Sequence, residues 1–201
     1  MRGARRTAGL VVAGAMLLAP RAWADPRVWV VDDGEKVRSI DVATPFAHGE
    51  DNPVWQPGAP VRLFAMRNES VALQVVVEAD GDALDGVTVD LDELHGPGDA
   101  VLANRQPRTV PQPIERFVEH FTIVQHPSGR AQSEGSRGWE DGSGPAPGAW
   151  VGPVPDALIP VDAARAWDPY PMHVLPRTNR IVWIDVNVPR AQAAGAYAGS
   201  V

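Results

Sequence analysis

The sequence predicts an all-β fold: a two-sheet β-sandwich, of the immunoglobulin or fibronectin kind, preceded by a cleaved leader. Three observations predict it. Twenty prolines and nineteen glycines punctuate 201 residues, which shortens helices and favours strands joined by turns. Several runs are β-branched or alternate apolar with polar at period two. Helix signals are few and flanked by proline, as at Ala157–Ile159 and Ala163–Trp167.

The first 24 residues read as a secretory signal. A basic start (Arg2, Arg5, Arg6) leads into an apolar run from Leu10 to Ala19, and Ala22-Trp23-Ala24 has the small-x-small pattern that a signal peptidase reads. Cleavage before Asp25 leaves residues 25–201 as one domain, exported to the periplasm or the extracellular space. The apolar run is too short to span a bilayer comfortably, so no membrane association is expected after cleavage.

In chain order, Val28–Val31 is the first expected strand and Val61–Met66 the second. Val71–Glu78 is the most β-branched run and is expected inside a sheet. Gly86–Leu91 alternates, turning Val87, Val89 and Leu91 inward. Ile114–Val124 carries apolar residues on both phases, as a strand that changes sheet or is bent by a bulge would do.

Residues from about 126 to 155 are rich in Gly, Ser and Pro and read as a long excursion loop. Asp156 is placed to cap a short helical turn after it. Ile181–Val188 is a strand with Val182, Ile184, Val186 and Val188 on one face, and Gly195–Val201 opens another. The sequence stops inside that last element, so the expectation is the front part of a longer polypeptide.

The formal charge is −7, and removal of the four leader arginines takes it to about −11. An acidic surface repels phosphate backbones, so nucleic acid is not an expected partner. With no cysteine, stability must come from burial and sheet hydrogen bonds, and thiol chemistry is excluded.

Four phrases add up to a family resemblance: Arg67-Asn68-Glu69-Ser70-Val71-Ala72-Leu73-Gln74-Val75-Val76, then Glu119-His120-Phe121, then Pro155–Pro160, then Asn179–Pro189 with Gly195-Ala196-Tyr197-Ala198-Gly199. In this order they resemble the N-terminal domain of proteins similar to glycoside hydrolase family 123, often filed as domain of unknown function 4091. The resemblance covers about residues 28 to 201. It implies a β-sandwich placed before a catalytic barrel acting on N-acetylgalactosamine-type or unknown glycans, with that barrel of the same longer polypeptide as its partner. The barrel is absent from this sequence, so the resemblance carries over no catalytic residue.

Glycoside hydrolysis needs two carboxyls facing one sugar, about 5 Å or about 6.5–9.5 Å apart. Asp32-Asp33, Glu50-Asp51, Asp90/Asp92-Glu93 and Glu140-Asp141 are adjacent acids in turn-like surroundings and read as solvated turn residues. His120 and His126 are placed to share one strand face, without the third ligand a zinc site wants. No metal or cofactor is expected.

Among seven tryptophans, Trp139 and Trp150 are the candidate glycan contacts, since loop rings are free to stack on apolar sugar faces. Trp29 and Trp183, in strands, are expected to be packed. Asn68-Glu69-Ser70 matches a glycosylation triplet, but Asn68 reads better as the turn into the strand at Val71. The leading functional expectation is a non-catalytic module of an exported glycoside-hydrolase-like protein; the alternative is a stand-alone carbohydrate-binding or adhesion module.

Overall fold

A computed structural model describes residues 26–105, 111–125, 152–162 and 169–201. The leader, the glycan-contact candidates Trp139 and Trp150, His126, Glu140-Asp141 and the helix-like Ala163–Trp167 lie outside the described residues. Within them the chain is all-β, with one 3-10 turn at Pro45–His48 and no α-helix.

Nine strands form among the described residues: β1 Arg27–Asp32, β2 Ser70–Ala79, β3 Leu84–Val87, β4 Glu93–His95, β5 Val101–Ala103, β6 Ile114–Val124, β7 Gly152–Pro160, β8 Met172–Val174 and β9 Thr178–Asn187. Five of them make an antiparallel sheet in the order β1-β2-β9-β6-β7. The others pair as two small ladders, β3 with β8 and β4 with β5. The architecture among the described residues is therefore one large sheet with two two-stranded ladders, where the sequence suggested a two-sheet sandwich.

Burial explains the strong strands. β2 is buried from Ala72 to Ala79 without alternation, because both faces of the large sheet are covered. On the first face, Leu73, Val75, Val77, Val182, Ile184, Val186, Ile114 and Val118 pack with Met172 and Val174 of β8, Leu102 of β5, Val89 and Leu91. On the second face, Trp29, Val31, Val76 and Ile181 pack beneath Val37 and Ala47. Trp29 is fully buried, as expected of a strand tryptophan.

The sequence suggested a change of sheet or a bulge in β6; β6 and β7 shift register between His120 and Phe121, with His120 opposite Ala157 and Phe121 opposite Pro155, so the bulge lies on β7 instead. Asp156 is the extra residue, so it sits in a strand instead of capping a helical turn. Ala157–Ile159 is likewise strand, as are residues 152–155, which the sequence placed in the loop. β7 is an edge strand, where Pro153, Pro155 and Pro160 cost least because the outward side needs no N–H.

Three further strand expectations are corrected. Val61–Met66 belongs to no strand; the Val30 carbonyl of β1 is already taken by Asn52 Nδ2 at 2.7 Å, while Arg62 N bonds Val54 O at 3.1 Å. Pairing of Gly86–Leu91 stops at Val87. Val89 and Leu91 still point inward, with the Val89 carbonyl accepting from the Tyr170 hydroxyl at 2.8 Å. Gly195–Val201 forms a single bridge, Ala198 to His95, and the Tyr197 ring lies so close to Gly96 that a Cβ there would stand 2.3 Å from it.

Candidate functional site

The second face of the sheet holds the polar groups that the apolar runs conceal. Arg27, Glu78 and Asn179 stand in one cross-strand row over β1, β2 and β9. Glu78 is fully buried. Its carboxylate accepts from Arg27 Nη1 at 3.0 Å, Trp29 Nε1 at 3.3 Å and the Ala43 amide at 3.1 and 3.2 Å. A buried carboxylate is tolerated on these terms, with a counterion and its lone pairs occupied.

Asn179 fastens the same covering segment. Its Nδ2 donates to Arg38 O and Asp41 O, both at 2.9 Å, and its amide donates to Ser39 O at 2.9 Å. Gln74, in the row with Val31 and Trp183, donates to Asp32 O at 2.8 Å and Glu35 O at 2.7 Å. Residues 32–43 are thus laid across the sheet by side-chain amides and one carboxylate.

Glu119 on β6 differs. It is buried, at 4% exposure, and its Oε2 has no hydrogen-bond partner. Burial pushes its carboxyl up to about 7, against a smaller opposite pull from Lys36. The Lys36 ammonium donates to Pro155 O on β7 at 3.4 Å.

At one end of the sheet is an open hollow of about 300 Å³, lined by Asn68, Glu69, Ser70, Pro111, Pro113, Asn187, Val188 and Pro189. Asn68 takes a left-handed turn, φ 64°, before β2, as its place in the sequence suggested. The hollow's polar groups are engaged. Ser70 Oγ donates to Asn187 Oδ1, Asn187 Nδ2 donates to Gln112 O at 2.6 Å, and Glu69 Oε2 accepts from the Met66 amide at 2.5 Å. With one carboxyl in its lining, it lacks the facing pair that glycoside hydrolysis requires.

The adjacent acids that lie among the described residues do not converge. Asp32 accepts from Gly34 N at 3.0 Å in a turn. Asp51 lies in a left-handed turn, φ 53°. Asp90 pairs with Arg116, and Glu93 with His95 at 2.7 Å. His173 meets Asp85 on the surface, and His120 is exposed. Among the described residues no group of three or more His, Cys, Asp or Glu could hold a metal ion. Trp183 is half-buried and donates to Asp185 Oδ1 at 2.6 Å.

Glu78, Gln74, Asn179 and Glu119 were not singled out from the sequence. A signal existed for Glu78, a charge closing the run Val75-Val76-Val77 where an all-apolar strand was forming. For Glu119 the signal is weaker, a carboxyl inside a run apolar on both phases.

No protein-family model matches the chain, and no curated protein matches it. Among solved structures it is similar to a family 123 glycoside hydrolase from Clostridium perfringens, a structure analysed for the details of glycolipid glycan hydrolysis, with a TM-score of 0.53 and 13% identity. The match covers 88% of this chain and 24% of that one, so this chain spans about a quarter of that enzyme's length. At this identity the likeness is one of fold.

Proposed function

We propose that this chain is a non-catalytic β-sandwich module, related to the N-terminal domain of family 123 and domain of unknown function 4091 proteins, that supports a catalytic barrel in a longer exported polypeptide. The observation that carries the reading is the fold likeness, which takes in nearly the whole chain but a quarter of a glycoside hydrolase. The described acids agree with it. Glu78 is consumed by Arg27, Trp29 and Ala43, and the acid pairs lie in separate turns and ion pairs. Export rests on the basic, apolar and small-x-small pattern of residues 1–24.

On this reading the module contributes rigid surface, and the chemistry on N-acetylgalactosamine-type glycans belongs to the barrel. Purified chain incubated with an aryl N-acetylgalactosaminide is expected to release no aryl alcohol above the buffer blank. Sustained turnover that scales with protein concentration refutes the proposal.

A further inference from the structure

β6 is shared unequally between its neighbours. It pairs with β9 from Ile114 to Val118 and with β7 from Phe117 to Val124. From Glu119 onward, β6 and β7 therefore run on as a two-stranded ribbon beyond the five-stranded part, and Glu119 stands at its root, next to the bulge at His120/Phe121. Phe121 packs the ribbon against the second-face core, whereas Ile123 further out is 65% exposed.

We propose that Glu119 is a proton-controlled latch at the root of the β6–β7 ribbon: the ribbon lies down while the carboxyl is neutral and opens locally when it ionises. Val118 points into the first-face core, so its neighbour Glu119 points to the opposite face, where residues 32–37 cross the sheet. A neutral carboxyl tolerates that dry position; a carboxylate with one oxygen unpartnered does not.

Among charged groups, Lys36 from the segment after β1 is the one whose field acts on the carboxyl. Arg180 on β9 lies 6.0 Å from the centre of the Phe121 ring. Opposite Glu119, β7 presents Leu158, and His120 on its own strand is exposed. Lys36 is tied to β7 through Pro155 O, so a lysine drawn toward an ionised Glu119 releases that tie. Ionisation thus removes a contact to β7 and invites water to the ribbon's root, the conditions for a local opening separate from global unfolding.

The test is residue-resolved hydrogen exchange of the purified chain at pH 5.5 and pH 8, corrected for the intrinsic pH dependence of exchange. The shift of Glu119 from 4.5 to about 7 predicts that the opening equilibrium of the β7 amides rises about 20-fold between the two conditions. These amides are expected to open more readily than those of β2 and β9. Glu119→Gln is expected to abolish the pH response, and Lys36→Met, which removes the pull toward ionisation, to enlarge it. An unchanged wild-type equilibrium, a response that survives Glu119→Gln, or β7 amides opening only together with β2 and β9 overturns the latch.

Discussion

The two faces of the large sheet are buried by different chemistry. The buried side chains clustered on the first are hydrocarbon: Ile184, Val182 and Val75 of the sheet meet Met172 and Val174, and its polar groups, the Tyr170 hydroxyl and the Arg116–Asp90 pair, stand at the margin. The second sets Trp29, Val76 and Ile181 among Gln74, Glu78, Asn179 and Glu119, all less than 9% exposed. Hydrophobic burial is non-directional and accepts any covering element of the right shape. The polar row instead fixes which segment lies across the sheet and in what position, since the Ala43 amide and the Arg38 and Asp41 carbonyls are each bonded to a named side chain, and the Ser39 carbonyl to the backbone N–H of Asn179.

The largest effect that probes this contrast is Glu78→Ala. It strands the Arg27 guanidinium, the Trp29 indole N–H and the Ala43 amide together, and is expected to cost about 3–5 kcal/mol in urea denaturation. The loss should be accompanied by rapid exchange of the Ala43 amide. A cost under about 1 kcal/mol would mean that the covering segment is held by its apolar contacts alone.

Next in size is Glu119→Gln at alkaline pH. The folded carboxyl holds its proton up to about pH 7 against an ordinary value of 4.5, so its contribution to stability is complete below about 4.5 and is lost as pH rises through 7. The amide cannot ionise. It should therefore exceed wild type by up to about 3 kcal/mol at pH 8 and match it near pH 4.5, read from urea midpoints across that range.

On the first face, Ile184→Val should cost about 1 kcal/mol, equally at pH 5 and pH 8, because the buried residues clustered with the fully buried Ile184 are all apolar. The smallest effect is at the surface. Asp85→Ala removes the exposed partner of His173 and should change stability by less than about 0.5 kcal/mol.

What could be read from the sequence follows the same division. β2, β9 and β1 were legible because runs such as Val71–Val77 and Ile181–Val186 carry their own signal, whereas the two apolar phases of β6 pointed to that strand and the extra residue is Asp156 on β7. Val61–Met66 misled because β propensity says nothing about whether a sheet edge is free; Phe64 ends 84% exposed. β7 misled in the other direction, since Pro153, Pro155 and Pro160 look like breakers until an edge position is known. Glu78 stayed hidden because its partners are a backbone group and side chains 35 to 51 residues away, a separation that no local pattern reports.

The claim on which this account turns is that the second face, unlike the first, is held by buried polar groups whose protonation matters. A series of urea denaturation curves on wild type and Glu119→Gln from pH 4.5 to pH 8.5 tests it most directly. Wild-type stability should fall between about pH 4.5 and pH 7 and then level, while the variant stays above it with that step absent. Two parallel curves, or a wild-type stability that rises across the interval, would contradict it.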